Sequence, residues 1–285
     1  MRTVYLNGQY LPENEAQVSI FDRGFLFSDS VYEVCSVLDG RLVDFDRHVA
    51  RLARSMAALG MVHVPTRDDL LAMHRELVAR NALDEGVVYM QVTRGNPGDR
   101  NFAAPPADLA PTITAFTQDM ALIDRPEAES GISVVTLPDK RWGMAQVKTT
   151  QLLYASLMKM EAKAQGADDA WLVRDGFVTE GTSQNAHIVT GDGVLVTHPL
   201  DDEALHGITQ AALKELAARE GVRVEVRRFT PEEARTATEA MNSAASAFIM
   251  PVTRIDGVQI GDGTAGPVTR AMREFYMAFA RETAI

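Results

Sequence analysis

The chain has 285 residues, 46% of them hydrophobic, and a formal net charge of −11. That length holds one large domain or two ordinary ones, with enough apolar residues for a full core. The acidic balance argues against nucleic-acid binding, which needs a basic face, and no stretch reaches the ~18 apolar residues of a membrane span.

The first residues read as a strand and turn, not as a signal peptide, so cytoplasmic residence is the expectation. The single cysteine, Cys35, cannot pair internally. It falls in the apolar run Val31 to Leu38 and reads as a buried, inert thiol.

Val4–Leu6 and Gln9–Leu11 flank Asn7-Gly8, the dipeptide of tight hairpin turns. Val31–Leu38 and Arg41–Phe45 flank Asp39-Gly40 in the same way. Asp46 is the candidate cap of a helix to about Leu59, ended by Gly60. Thr66 opens a second helix, with Asp69 in the capping-box position and Leu70 to Ala79 as its body. Val87–Thr93 alternates as a strand, 96–111 is a proline-rich loop, and Thr112–Thr117 is a strand again.

A linker at 119–126 separates a small N-terminal α/β domain, 1–118, from a larger C-terminal domain, 127–285. There the pattern predicts strand Ile132–Leu137, a helix from Leu152 to Gln165, and hairpins around Asp175-Gly176 and Gly191-Asp192-Gly193. A helix follows Gly207, then a strand Val222–Phe229. Thr230-Pro231-Glu232-Glu233 is a second capping box. Strands Phe248–Val252 and Val258–Ile260 flank Asp256-Gly257. A terminal helix runs from Pro267, with Val268, Met272, Phe275 and Phe279 as its core stripe. The fold class is mixed α and β, of the α+β type.

The chain has only five lysines against twenty-three arginines. Lys159 and Lys163 sit four apart on a helix, an ordinary setting. Lys148 stands in Gln146-Val147-Lys148-Thr149-Thr150, where strand gives way to helix. Downstream come Thr179-Glu180-Gly181-Thr182-Ser183-Gln184-Asn185 and His206-Gly207-Ile208-Thr209. A lysine amine, an acid beside a Gly-Thr-Ser turn and a Gly-Ile-Thr helix start suit an aldehyde cofactor with a ring nitrogen and a phosphate. That is pyridoxal phosphate, held as a Schiff base. The six histidines show no metal-ligand spacing, so no metal is expected.

These residues resemble the class IV aminotransferases, the fold type IV pyridoxal phosphate enzymes. The resemblance runs from Asp22-Arg23-Gly24-Phe25 and Val31-Tyr32-Glu33 through His48-Val49-Ala50-Arg51-Leu52, Val92-Thr93-Arg94-Gly95 and Arg141-Trp142. It continues to Lys148, Glu180 to Asn185, Gly207-Ile208-Thr209 and Met250-Pro251-Val252. It implies a C-terminal pseudo-barrel domain and a homodimer. It also implies that Lys148 bonds the cofactor and shuttles the proton, and that Glu180 faces the ring nitrogen. Leu205 would pack on the ring. Ile208 and Thr209 would hold the phosphate at a helix start, where amides and dipole favour an anion. Arg51 would supply a charged fork to the phosphate, against a plain reading as a solvated helix arginine. Ala244 and Ala245, in Ser243-Ala244-Ala245-Ser246, would add backbone amides.

Within the family the chain is most similar to D-amino acid transaminases, which implies exchange between a D-amino acid and a 2-oxo acid. Tyr32 matches a tyrosine that helps bind the substrate carboxylate. Where the best-known D-type carries an Arg-x-His pair, this chain has Gly98-Asp99-Arg100-Asn101-Phe102, making Arg100 the carboxylate candidate. A branched-chain L-amino acid aminotransferase is the alternative, although its Gly-Thr-Ala-Ala loop is replaced by Ser243-Ala244-Ala245. An aminodeoxychorismate lyase-type activity is a third reading. A non-catalytic binder on the same fold is the reading from another class, and Lys148 argues against it.

Overall fold

The computed structural model describes residues 1–103 and 105–285. Two compact units emerge: Met1–Ala121 with Val147–Gln151 and Ala280–Ile285, and Leu122–Gln146 with Leu152–Phe279. A single cut at 119–126 misses that two later segments join the first unit. Both are joined through backbone hydrogen bonds, which no composition change announces. Among the described residues no helix is long and apolar enough to cross a membrane.

In the first unit, β1 (Thr3–Leu6) and β2 (Gln9–Pro12) form the expected hairpin. Asn7 (φ 45°) and Gly8 (φ 91°) both take the left-handed conformation that this turn requires. Helix α1 (Arg23–Phe27) follows, then β3 (Ser30–Leu38) and a two-residue β4 (Arg41–Leu42). Helix α2 spans Phe45–Ala58 and is capped at Asp44, not Asp46. Asp46 lies in its first turn and pairs with Arg67 at 2.6 Å. Helix α3 (Arg67–Arg80) begins as read, the Thr66 hydroxyl accepting from the Asp69 amide. Strands β5 (Gly86–Thr93) and β6 (Thr112–Asp119) complete a six-stranded sheet in the order β2-β1-β6-β5-β3-β4. Val88, Met90 and Val92 of β5 face a core with Leu52 and Met56 of α2 and Leu70, Met73 and Leu77 of α3. Cys35 lies in that core, where burial pushes its thiol well up.

The second unit starts with a short helix α4 (Glu127–Ser130) and β7 (Ile132–Pro138). Helix α5 (Leu153–Ala164), β8 (Asp169–Arg174), β9 (Phe177–Gly181), β10 (Asn185–Val189) and β11 (Leu195–Thr197) follow. Next come α6 (Ile208–Arg219), β12 (Val224–Val226), α7 (Pro231–Thr236), β13 (Glu239–Ala244), β14 (Phe248–Ile255), β15 (Val258–Gln259) and α8 (Pro267–Thr283). The sheet runs β12-β11-β10-β13-β14-β7-β8-β9, with β15 on β14. Only three residues join β9, at one edge, to β10, third from the other. The sheet must therefore curl back on itself.

Three expectations change here. Strand β12 is three residues, not eight, because its partner β11 is an equally short strand. Strand β13 was not foreseen. The buried face of α8 carries Thr269, Met272, Arg273 and Tyr276, while Val268, Phe275 and Phe279 are half-buried. Polar residues fit that face because each is bonded. Glu239 accepts from the Thr269 amide and hydroxyl, both at 2.7 Å, and Arg273 donates to the carbonyls of Leu122, Ile123, Ala247 and Ile249.

Candidate active site

Lys148 lies in an irregular stretch well before α5, and that stretch is stitched to β3. The Tyr32 amide donates to the Lys148 carbonyl (3.1 Å), and the Thr150 amide to the Ser30 carbonyl (3.2 Å). Thr149 bridges Val31, and the Lys148 amide donates to the Ser55 hydroxyl (3.2 Å). The backbone around Lys148 is thus fixed without belonging to a helix or strand. Its Nζ stands 4.0 Å from the centroid of the Tyr32 ring. A cation over a ring face gains about 0.5–2 kcal/mol. Tyr32 in turn stacks on Tyr89, and Tyr89 on Phe116. Lys159 and Lys163, by contrast, pair with Asp169 (2.9 Å) and Asp168 (3.1 Å).

Arg51 is buried, not solvated. Its Nε donates to Glu33 Oε1 and its Nη2 to Glu33 Oε2, both at 2.8 Å, and His48 Nδ1 lies 2.7 Å from Oε2. The fork read as a phosphate ligand is on Glu33. Burial alone would raise the Glu33 carboxyl, but the Arg51 charge and these bonds hold it at about 2.

Two other motifs meet in the same unit. Asp22 accepts from the Gly24 amide and from the hydroxyls of Thr93 and Thr112. Asp29 joins Arg23 and Arg94, each at 2.7 Å. Arg100 is exposed, its guanidinium lying over the rings of Phe27 (5.2 Å) and Phe102 (4.8 Å).

In the second unit, Glu180 ends up buried near the end of β9. Its Oε2 accepts from the Asn185 side chain (3.2 Å) and from the Leu205 amide (3.1 Å), and its Oε1 accepts from Arg141. Burial raises the Glu180 carboxyl above the usual range against the pull of Arg141. Arg141 also holds Asp139 through Nε (2.9 Å) and Nη2 (2.8 Å). Asn185 reaches on to the Leu205 carbonyl (2.8 Å), so one amide ties Glu180 to the approach of α6.

Helix α6 starts at Ile208, with Gly207 as an N-cap that brings no side-chain bond to the first-turn amides. Ile208 and Thr209 are both buried there. Ala244 closes β13, and Ala245 stands in the turn that follows. Arg125 and Arg273 hold the carbonyls of Ser246, Ala247 and Ile249 around that turn. The Ser243 hydroxyl is 2.8 Å from His187 Nε2.

Leu205, Glu180 and the start of α6 are therefore brought together, as Lys148 and Tyr32 are in the first unit. Asp139, Arg141, Asn185, Glu33 and His48 surround the foreseen residues without having been assigned roles. Glu33, His48, Arg141 and Asn185 stand in the motifs that carry the family resemblance, which is the signal they offer; Asp139 lies outside them. Among the described residues His198, Asp201 and Glu203 could together offer a cation three ligand atoms. Arg228 already pairs with both acids, at 3.6 and 3.0 Å.

Comparison with known proteins adds the family context. The family described as amino-transferase class IV matches residues 30–255. The chain is 35% identical to a D-alanine aminotransferase of Staphylococcus aureus (strain MSSA476), over 100% of both chains. It is 37% identical to one of Bacillus licheniformis, over 94% of this chain and 93% of the other. Among solved structures, a branched-chain amino acid aminotransferase of Escherichia coli superposes with a TM-score of 0.89 at 25% identity, covering 98% of this chain and 94% of that one. A T.th. branched-chain amino acid aminotransferase, solved with pyridoxamine 5'-phosphate, gives 0.88 at 26% identity, with the same coverage.

Proposed function

The chain belongs to the class IV aminotransferases, and from that premise we propose that it moves the amino group of a D-amino acid, D-alanine foremost, to a 2-oxo acid. The fold is fold type IV and the cofactor of this transaminase is pyridoxal phosphate. The whole-length identity with D-alanine aminotransferases carries the reading.

The residues present fit the cofactor. A buried carboxylate, held at Oε2 by Asn185 and the Leu205 amide and at Oε1 by Arg141, suits a ring nitrogen, and an α6 start with no side-chain cap suits a phosphate. When bound, the cofactor supplies an electron sink for the charge left at the substrate Cα. Lys148 Nζ is the covalent attachment point and then holds the proton taken from Cα. Glu180 would keep a proton on the ring nitrogen, and Leu205 would pack against the ring. The backbone of Ile208, Thr209, Ala244 and Ala245, with the Thr209 hydroxyl, holds the phosphate. Arg51, with its fork on Glu33, adds positive charge there. Tyr32 and Arg100 bind the substrate carboxylate.

A homodimer in the cytoplasm is part of the proposal; a lone thiol at Cys35 suits a reducing compartment.

An amino-donor panel with both enantiomers tests the reading. D-Alanine should react far faster than L-alanine or L-leucine. Faster turnover of L-leucine would replace it with the branched-chain reading, which the superposition on branched-chain aminotransferases favours.

A further inference from the structure

Arg141 stands between two carboxylates that hold it unequally. Asp139 receives Nε and Nη2, and also the Arg141 backbone amide at 3.0 Å. Glu180 receives Nη1 alone. Asp139 is itself fixed, its side chain fully buried. The Thr179 hydroxyl donates to its Oδ2 (2.9 Å), and Arg174 Nη2 lies 3.2 Å from its Oδ1. Thr179 directly precedes Glu180 on β9. Asp139 thus clamps the guanidinium against the strand that carries Glu180.

We propose that Asp139 is a positioning residue that takes up the charge of Arg141, leaving the negative charge of Glu180 free to hold the ring nitrogen of the cofactor protonated. This rests on the reading above that Glu180 faces that nitrogen. A carboxylate embraced by a whole guanidinium fork becomes a weak base, commonly by about one to three pKa units. Such a Glu180 would have most of its charge neutralised and would stabilise a pyridinium poorly. With the fork on Asp139, one N–H steadies the Glu180 anion without cancelling its charge. Burial is the largest influence on Glu180 and raises it, Arg141 lowers it, and the Asp139 charge raises it again. Arg141 and Arg174 are the cations that face the two acids.

Asp139→Asn tests this, since asparagine keeps the shape and can accept from Thr179 but carries no charge. In cofactor-free protein with 13C-labelled glutamate carboxylates, Glu180 should become about tenfold more acidic in the variant. Its resonance is assigned by its loss in Glu180→Gln. In the holoenzyme a 15N-labelled ring nitrogen should shift toward the unprotonated form, while cofactor affinity stays within about twofold. Asp139→Glu should restore both signals, which a purely structural role does not require. Should Asp139→Asn fail to fold, Thr179→Val loosens the Asp139 seat and should move Glu180 in the same direction. An unchanged or raised Glu180 titration overturns the proposal. A ring-nitrogen signal indifferent to Glu180→Gln overturns the function reading beneath it, which is a separate result.

Discussion

The side-chain oxygen of Asn185 stands where Gly207 lacks a side chain: a Cβ on Gly207 would lie 1.9 Å from Asn185 Oδ1. The other end of that amide holds Glu180 and the Leu205 carbonyl. Gly207→Ala must displace Asn185 or the start of α6. Freeing these buried partners should cost about 1–3 kcal/mol. Thermal unfolding should show a lower Tm, and Asn185→Ala should remove most of the difference. An unchanged Tm in Gly207→Ala would mean that the contact relaxes freely.

Arg51→Ala should leave Glu33 buried without its main counter-charge, which costs roughly 3–5 kcal/mol at neutral pH. The folded Glu33 titrates near 2, below its ordinary 4.5. Its contribution is therefore complete above about 4.5 and is lost as pH falls through about 2, a span worth roughly 3 kcal/mol. Urea unfolding should show the gap between variant and wild type at pH 7 shrinking at pH 3, where the stranded carboxyl is protonated. A pH-independent gap would assign the loss to packing. Cofactor affinity should fall as well.

Lys148→Ala should abolish the borohydride-fixed link between protein and cofactor while leaving the fold intact. Mass spectrometry of the reduced digest reads this directly. A labelled peptide from the variant would put the attachment elsewhere.

Arg100→Ala should raise the KM for D-alanine and lower kcat/KM by roughly tenfold to a hundredfold, the value of a charge-assisted bond of about 1.5–3 kcal/mol. A primary amine without a carboxylate should be much less affected. Arg100 now lies over Phe27 and Phe102, so Phe102→Ala should weaken its positioning and mimic part of the effect. Equal rates for D and L donors, with Arg100→Ala changing neither, would end the D-specific assignment.

Acid should destabilise the protein well before its carboxylates protonate. Burial lowers His187 to about 3 and His74 to about 4, from 6.5. Their neutral forms contribute fully above about 6.5, and that stability is lost as pH falls toward the folded values. At pH 5 each should cost on the order of 2 kcal/mol relative to pH 7. His187→Asn should flatten the pH dependence in urea titrations; a wild type equally stable at both pH values would contradict this.

Local chemistry was the readable part of this chain. Asn7-Gly8, Thr66 with Asp69, and Thr230 with Glu233 each specify a turn or cap within four residues, and each formed. The cap at Asp44 was missed because its backbone is left-handed and its side chain makes no cap bond. Strand β13 was missed because Glu239-Ala240-Met241-Asn242-Ser243-Ala244 has small and polar residues and no alternation. At the site, Lys148 stood out by rarity and Glu180 by its turn. What surrounds them depends on contacts such as Arg141 to Glu180, 39 residues apart, or Glu33 to Arg51, 18 apart. Arg273 reads as an interruption of an apolar stripe until its four carbonyl partners are known.

The first unit also sets a condition on the order of synthesis. The Leu42 amide donates to the Ile285 carbonyl at 2.9 Å, and the Ile285 amide to the Leu42 carbonyl at 3.0 Å; Val147–Gln151 lines β3. A chain emerging from the ribosome completes β3 and β4, at one edge of that N-terminal sheet, long before the segments that cover this edge, Val147–Gln151 and then Ile285, are made. Until those segments emerge, β3 and then β4 present unpaired backbone, the kind of edge that recruits other chains. Nascent chains halted before residue 147 should thus need chaperone cover most, and a fragment 1–121 expressed alone should aggregate.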